Sequence, residues 1–170
     1  MHLIHIGKIV ASFGLKGQVI LKHSLAKKLT FKKGDALFIE MLKDSQVPYF
    51  IQEAKAKSNE ESYLLFEGVI SKEATTKLLQ KKVWLTVEEF EKHVDKNAPI
   101  GLIGYAVINQ RTPIGSVLEV IEQPHQVLLT VRYNNKEAYI PLHQETLLTI
   151  DRKKKEIHVS LPDGLLDVYQ

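Results

Sequence analysis

Apolar and polar residues alternate in short runs along most of this chain, and sustained helical periodicity is rare. Val127, Leu129, Val131 and Tyr133 share one parity, with Leu128, Thr130 and Arg132 on the other. Ile157, Val159 and Leu161 alternate with His158 and Ser160 in the same way. A period of two marks a strand that buries one face. Similar runs predict strands at residues 19–21, 36–42, 50–57, 63–66, 83–87, 102–108, 114–121 and 136–140. The 36–42 run is apolar on both parities, which predicts burial on two sides. Asn134-Asn135 fits a two-residue hairpin turn, because Asn tolerates positive φ. A single helix is expected at 71–80, with Ser71 as N-cap, Glu73 in the first turn, and Ala74 and Leu78 on one face. The polar stretch 88–98, followed by Pro99, reads as a linker. The pattern therefore predicts a mainly β protein: two small β-barrels joined by a polar linker, with one short helix in the first. The first barrel would span 1–90, the linker 91–98 and the second barrel 99–170.

Length and composition narrow this further. At 170 residues the chain has room for two small domains but not for a TIM barrel or a full dinucleotide-binding dehydrogenase. With no cysteine, disulfides, thiolate zinc sites, iron–sulfur ligation and thiol catalysis are excluded. No run reaches the ~18–20 apolar residues of a membrane span. The first residues, interrupted by Lys8, lack a signal-peptide pattern, so a cytoplasmic protein is expected.

The net charge of +3 is unevenly spread: residues 1–96 hold 16 basic and 12 acidic side chains, and residues 97–170 hold 7 and 8. Lys8, Lys16, Lys22, Lys27, Lys28, Lys32 and Lys33 all precede the first acid, Asp35. Such a block suits a polyanion, and it equally suits a solvated face. The second cluster, Arg152-Lys153-Lys154-Lys155, sits between two apolar runs as the tip of a hairpin.

Catalytic patterns are missing. The sequence holds no phosphate-binding glycine loop ending in Gly-Lys-Ser/Thr, no H-E-x-x-H and no G-x-S-x-G. The seven histidines are scattered, and the pairs Glu60-Glu61 and Glu88-Glu89 lie in polar connecting segments. Trp84 and the aromatics of 63–66 fit either a core or a base-stacking surface. The residues by themselves predict a binding or assembly factor rather than an enzyme, without cofactor or metal, and RNA is the polyanion that best fits.

Particular motifs add a resemblance. Gly7-Lys8-Ile9-Val10, followed by Gly14-Leu15-Lys16-Gly17-Gln18-Val19, resembles the opening of the RimM family of bacterial ribosome maturation factors. Leu65-Phe66-Glu67-Gly68-Val69, Glu73-Ala74 and Val83-Trp84-Leu85 resemble that family's Phe-Glu-Gly strand, short helix and closing strand. The second half is similar to a PRC-barrel through Leu102-Ile103-Gly104, Ile114-Gly115-Ser116-Val117, Ile140-Pro141 and Leu161-Pro162-Asp163-Gly164-Leu165-Leu166-Asp167. Two positions depart from the family pattern. Asn97-Ala98-Pro99-Ile100-Gly101 replaces an aromatic opening of the second barrel, and Gln123-Pro124-His125-Gln126-Val127 keeps only the valine of the usual hairpin.

The resemblance implies a non-catalytic factor for late maturation of the small ribosomal subunit, in its head region, that assists ribosomal RNA folding and processing. Its implied partners are small-subunit ribosomal protein nineteen, small-subunit ribosomal RNA and the free or immature subunit. Lys8, Phe13, Leu15, Lys16, Lys22, Lys27 and Lys28 are the candidate RNA or ribosome contacts. His125, Gln126, Pro141 and His143 are the candidates for the ribosomal protein. Phe13, Leu15 and Lys16 are expected on a freely projecting loop. No membrane partner is implied, and a monomer is expected. The alternative reading is a PRC-barrel scaffold that binds proteins unrelated to ribosomes.

Overall fold

A computed structural model describes residues 2–169. The chain divides into two compact units between Ala98 and Pro99.

The first unit is a closed six-stranded barrel. Its strands are β1 (Leu3–Phe13), β2 (Gln18–His23), β3 (Ala36–Leu42), β4 (Ser45–Ala56), β5 (Glu61–Phe66) and β6 (Lys82–Thr86). They run in the order β1-β2-β5-β4-β3-β6, and β6 pairs back onto β1 to close the wall. Alternation places the side chains. Val19, Leu21, Leu37, Ile39, Leu64, Phe66, Val83 and Leu85 are all buried inside, each worth ~1.5–3 kcal/mol relative to exposure. The intervening Lys22, Lys82 and Tyr63 face outward. β3 buries only Leu37 and Ile39 completely, so it is not covered on two sides. Its outward Phe38 is half-buried because Pro48 and Trp84 stand opposite it on the neighbouring strands.

Two helical segments differ from expectation. The 71–80 helix shrinks to a single α turn, α1 (Lys72–Thr75), continuing as a 3-10 turn at Thr76–Leu78. Ser71 does cap it, its hydroxyl accepting from the Ala74 amide at 3.1 Å. Thr75 and Leu78 are its buried residues. The supposed linker instead folds. Residues Val87–His93 form a second helix, α2, capped by the Thr86 hydroxyl, which accepts from the Glu89 amide at 3.2 Å. Phe90, His93, Val94 and Ala98 are buried, and the Asp95 amide donates to the Leu25 carbonyl at 2.9 Å. This segment therefore belongs to the first unit.

The second unit begins with a 3-10 turn, Pro99–Leu102. Leu102 and Tyr105 are buried there ahead of the strand, which starts only at Ala106. Its strands are β7 (Ala106–Asn109), β8 (Thr112–Gln123), β9 (Gln126–Tyr133), β10 (Lys136–Leu142), β11 (Leu147–Asp151) and β12 (Glu156–Val159). They form one sheet in the order β10-β9-β8-β7-β12-β11, with β7 and β12 parallel. Asn134 and Asn135 make the β9–β10 turn with φ of 50° and 64°. Residues 152–155 form the β11–β12 turn, where the Asp151 carboxylate accepts from the Lys153 and Lys154 amides. Strand β11 has no counterpart among the expected strands, since its Leu148 and Thr149 are both exposed and blur the alternation. At the β10 edge, the Tyr139 amide donates to the Tyr169 hydroxyl at 3.4 Å, and the Pro141 carbonyl accepts from the Thr146 hydroxyl at 2.8 Å. Leu165 and Leu166 pack on the core.

Candidate nucleic-acid and protein interface

The lysines singled out in the sequence do not gather into one patch. Register brings two of them together: Lys8 on β1 stands directly opposite Lys22 on β2, both exposed on the barrel wall. Lys16 lies in the β1–β2 turn, beyond the far end of those strands. Lys27 and Lys28 lie in the loop after β2, which Leu25, Leu29 and Phe31 pin to the core while both lysines stay exposed. The sequence reading missed Lys82. It stands opposite Lys8 on the other side, and only the closure of β6 onto β1 reveals it.

The β1–β2 turn presents its side chains from a fixed backbone, not a free one. Leu15 is 77% exposed and Phe13 46% exposed, with Lys16 between the turn's two glycines. The Leu15 carbonyl accepts from the Lys72 amide at 3.0 Å. Gly17 has φ of +102°, and a Cβ there would lie 2.2 Å from the Val69 carbonyl oxygen. The Phe13 ring rests against Tyr63 at 4.6 Å between centroids. Ile70, 78% exposed, follows Val69 on the abutting segment.

His23, also on β2, points inward and is buried. Its Nδ1 accepts from the Leu25 amide at 3.3 Å, while Nε2 is buried without a partner among the described residues. Burial pushes its pKa down to about 4, opposed by the charge of Glu61.

Among metal-type groupings, Asp35, Glu89 and His93 bring one ligand atom each within 4.8 Å of one another. All three are engaged structurally. Asp35 accepts from the Lys32 amide, Glu89 pairs with Lys92, and His93 contacts Glu89 and stacks on Phe31. Of these contacts, His93 on Phe31 ties α2 to the loop after β2.

In the second unit the four candidates lie at one end of the β9–β10 pair, where Val127 stands opposite Leu142. His125 is exposed in the β8–β9 turn, and the Gln126 side-chain amide donates to Gln123 at 3.0 Å. The half-buried His143 uses Nδ1 to accept from the Glu145 amide at 3.2 Å, which shapes the β10–β11 turn. Pro141 lies within β10. Trp84 and Tyr63, left open between core and surface, both face out of the barrel and are half-buried.

These features define a two-unit β protein whose first barrel carries lysines on its wall, its hairpin tip and its pinned loop. The RimM N-terminal domain model matches residues 4–90, and the RimM PRC barrel domain model matches residues 99–165. The chain belongs to the RimM family. It is 26% identical over 167 residues to the ribosome maturation factor RimM of Christiangramia forsetii, covering 97% of this chain and 95% of that protein. With the RimM of Bacteroides fragilis the identity is 29% over 160 residues, covering 86% of this chain and 87% of the relative. The crystal structure of a RimM protein from Pseudomonas aeruginosa aligns over 95% of this chain and 98% of its own, with 16% identity and a TM-score of 0.41.

Proposed function

We propose that this chain is a non-catalytic assembly factor that assists late maturation of the small ribosomal subunit in its head region. The carrying observation is that both RimM domain models match in order across nearly the whole length. In this reading the first unit lies against ribosomal RNA through Lys8, Lys22, Lys27 and Lys28 and the Phe13-Leu15-Lys16 turn. Long cationic stems on exposed wall and loop positions suit phosphate contacts, and the fixed turn offers apolar side chains at low entropic cost. The second unit holds small-subunit ribosomal protein nineteen at the end of β9–β10 that carries His125, Gln126, Pro141 and His143. Two binding surfaces on one chain raise the local concentration of each partner for the other. RNA folding and processing are then assisted indirectly, in the cytoplasm.

The test is sedimentation of the tagged protein with bacterial lysate through a sucrose gradient at two salt concentrations. Salt-sensitive migration with free small subunits, and none with assembled ribosomes, is expected. Migration with no ribosomal particle at low salt overturns the reading. Salt-insensitive binding to other proteins alone favours a scaffold unrelated to ribosomes.

A further inference from the structure

The antiparallel register of three adjacent strands aligns like charges. Lys8 on β1 faces Lys22 on β2 and Lys82 on β6, so Lys82, Lys8 and Lys22 form one row across the barrel wall. All three are exposed, and their chain neighbours Ile9, Leu21 and Val83 are fully buried, which fixes the row on the outside. With strands about 4.8 Å apart, the row spans about 10 Å. Like charges directly opposite one another weaken a sheet, so the row works against the stability of the barrel that carries it. Acids flank the row without interrupting it. Glu61 stands opposite Lys22, its carboxylate also 3.4 Å from Lys57, and Glu40 follows Ile39, which stands opposite Val83 beside Lys82.

The adjacent outward tier is aromatic. His5 stands opposite Trp84 on the same β1–β6 pair, their ring centroids 5.2 Å apart. Cations beside half-buried aromatic rings match what a single nucleic-acid strand presents, phosphates on one side and base faces on the other. An acidic peptide would use the cations and leave the rings without a counterpart.

We propose that Lys82, Lys8 and Lys22 form a ladder that takes successive phosphates of a single RNA strand, whose bases lie toward His5 and Trp84. This rests on the reading of the chain as a factor acting on ribosomal RNA, and it names the site and the strandedness. Lys82 enters as a binding residue through tertiary placement alone.

Trp84 is the chain's single tryptophan, so its fluorescence reports the site directly. The full-length protein is titrated with a labelled oligouridylate by anisotropy and by tryptophan emission, across a range of salt. We expect quenched emission and salt-dependent binding. The variant carrying Lys8→Gln, Lys22→Gln and Lys82→Gln should bind at least tenfold more weakly, with a salt slope shallower by about two to three, one neutralised phosphate per lysine. Its thermal unfolding should be no lower than that of the parent, which separates lost contacts from lost fold. An unchanged salt slope in the triple variant overturns the ladder, as does polyglutamate binding as tightly as the oligouridylate. Both outcomes are independent of the sucrose-gradient test. A variant that still migrates with small subunits while its RNA binding is unchanged removes the ladder and leaves the assembly role. Ladder-dependent RNA binding by a protein that joins no subunit does the reverse.

Discussion

His23 shows how one inward-facing titratable ring sets a pH limit on the fold. Its ring is neutral in the barrel, since Nδ1 accepts a backbone hydrogen and protonation would place a charge in an apolar interior. The folded pKa of about 4 lies below the ~6.5 of a free imidazole. Above pH 6.5 the two states bind equal protons and stability is unaffected. Between 6.5 and about 4 only the unfolded chain takes up the proton, so stability falls as pH falls, by a total on the order of 3 kcal/mol. Urea melts of the parent and of His23→Asn from pH 7.5 to 4 should differ mainly in slope. The Asn oxygen can still accept from Leu25 but does not titrate, so the variant should lose less stability with acid. The turn glycines provide a second contrast at this scale. Gly14→Ala meets open space, with only the strain of φ +72°, and should cost about 1 kcal/mol. Gly17→Ala collides with the Val69 carbonyl at φ +102° and should cost several times more by chemical denaturation. The glycine spacing in the sequence shows a turn; the close approach at Gly17 depends on a segment fifty residues away and is invisible locally.

Legibility among the elements follows the strength of each local signal. Strands whose sequence alternates cleanly, such as β9 and β12, could be read directly, although Thr130 of β9 is buried along with Leu129 and Val131, and the Asn134-Asn135 turn could be read too. Helix α2 was hidden by its acidic composition, yet its signal is present. Thr86 and Glu89 have capping-box spacing, acids occupy the first turn, and Lys92 and His93 occupy the last. Only a narrow stripe of Phe90, His93 and Val94 is apolar, because the helix covers one flank of the barrel. Conversely, the 71–80 segment contains Thr75 and Thr76, and β-branched residues weaken the case for extending one α turn. The register between strands is the least legible property, and the lysine row is its product. It supports a prediction for β1. Lys8→Glu sets opposite charges against both Lys22 and Lys82 and should raise stability by roughly 0.5–1 kcal/mol in thermal or urea unfolding. The same change should abolish the RNA binding of the wall.

For the molecule as a whole, the boundary falls where the polar stretch ends, after Ala98, rather than where it begins. His93, Val94 and Ala98 are buried, and the 95–98 backbone bonds to the loop at Leu25 and to itself. A fragment ending at residue 98 should therefore unfold as a barrel with its flank covered. One ending at residue 90 loses those contacts and should be less stable by about 2–4 kcal/mol, read as a lower urea midpoint. The family resemblance gave the order of the two units and Pro99 marks the start of the second, while local polarity conceals that 91–98 packs onto the first.

In the second unit the hydrogen-bonded strand order ends at β10 and β11, and an end strand is one that other strands can join. At β10 the outward backbone groups alternate along 137, 139 and 141. The Tyr139 donor is taken by Tyr169, Pro141 has no donor, and the Pro141 carbonyl is taken by Thr146. A visiting chain therefore meets a blunted edge at Tyr139 and Pro141, where one donor is occupied, one is missing and one carbonyl is taken. At those two positions side chains must carry more of the recognition than they would along a bare edge.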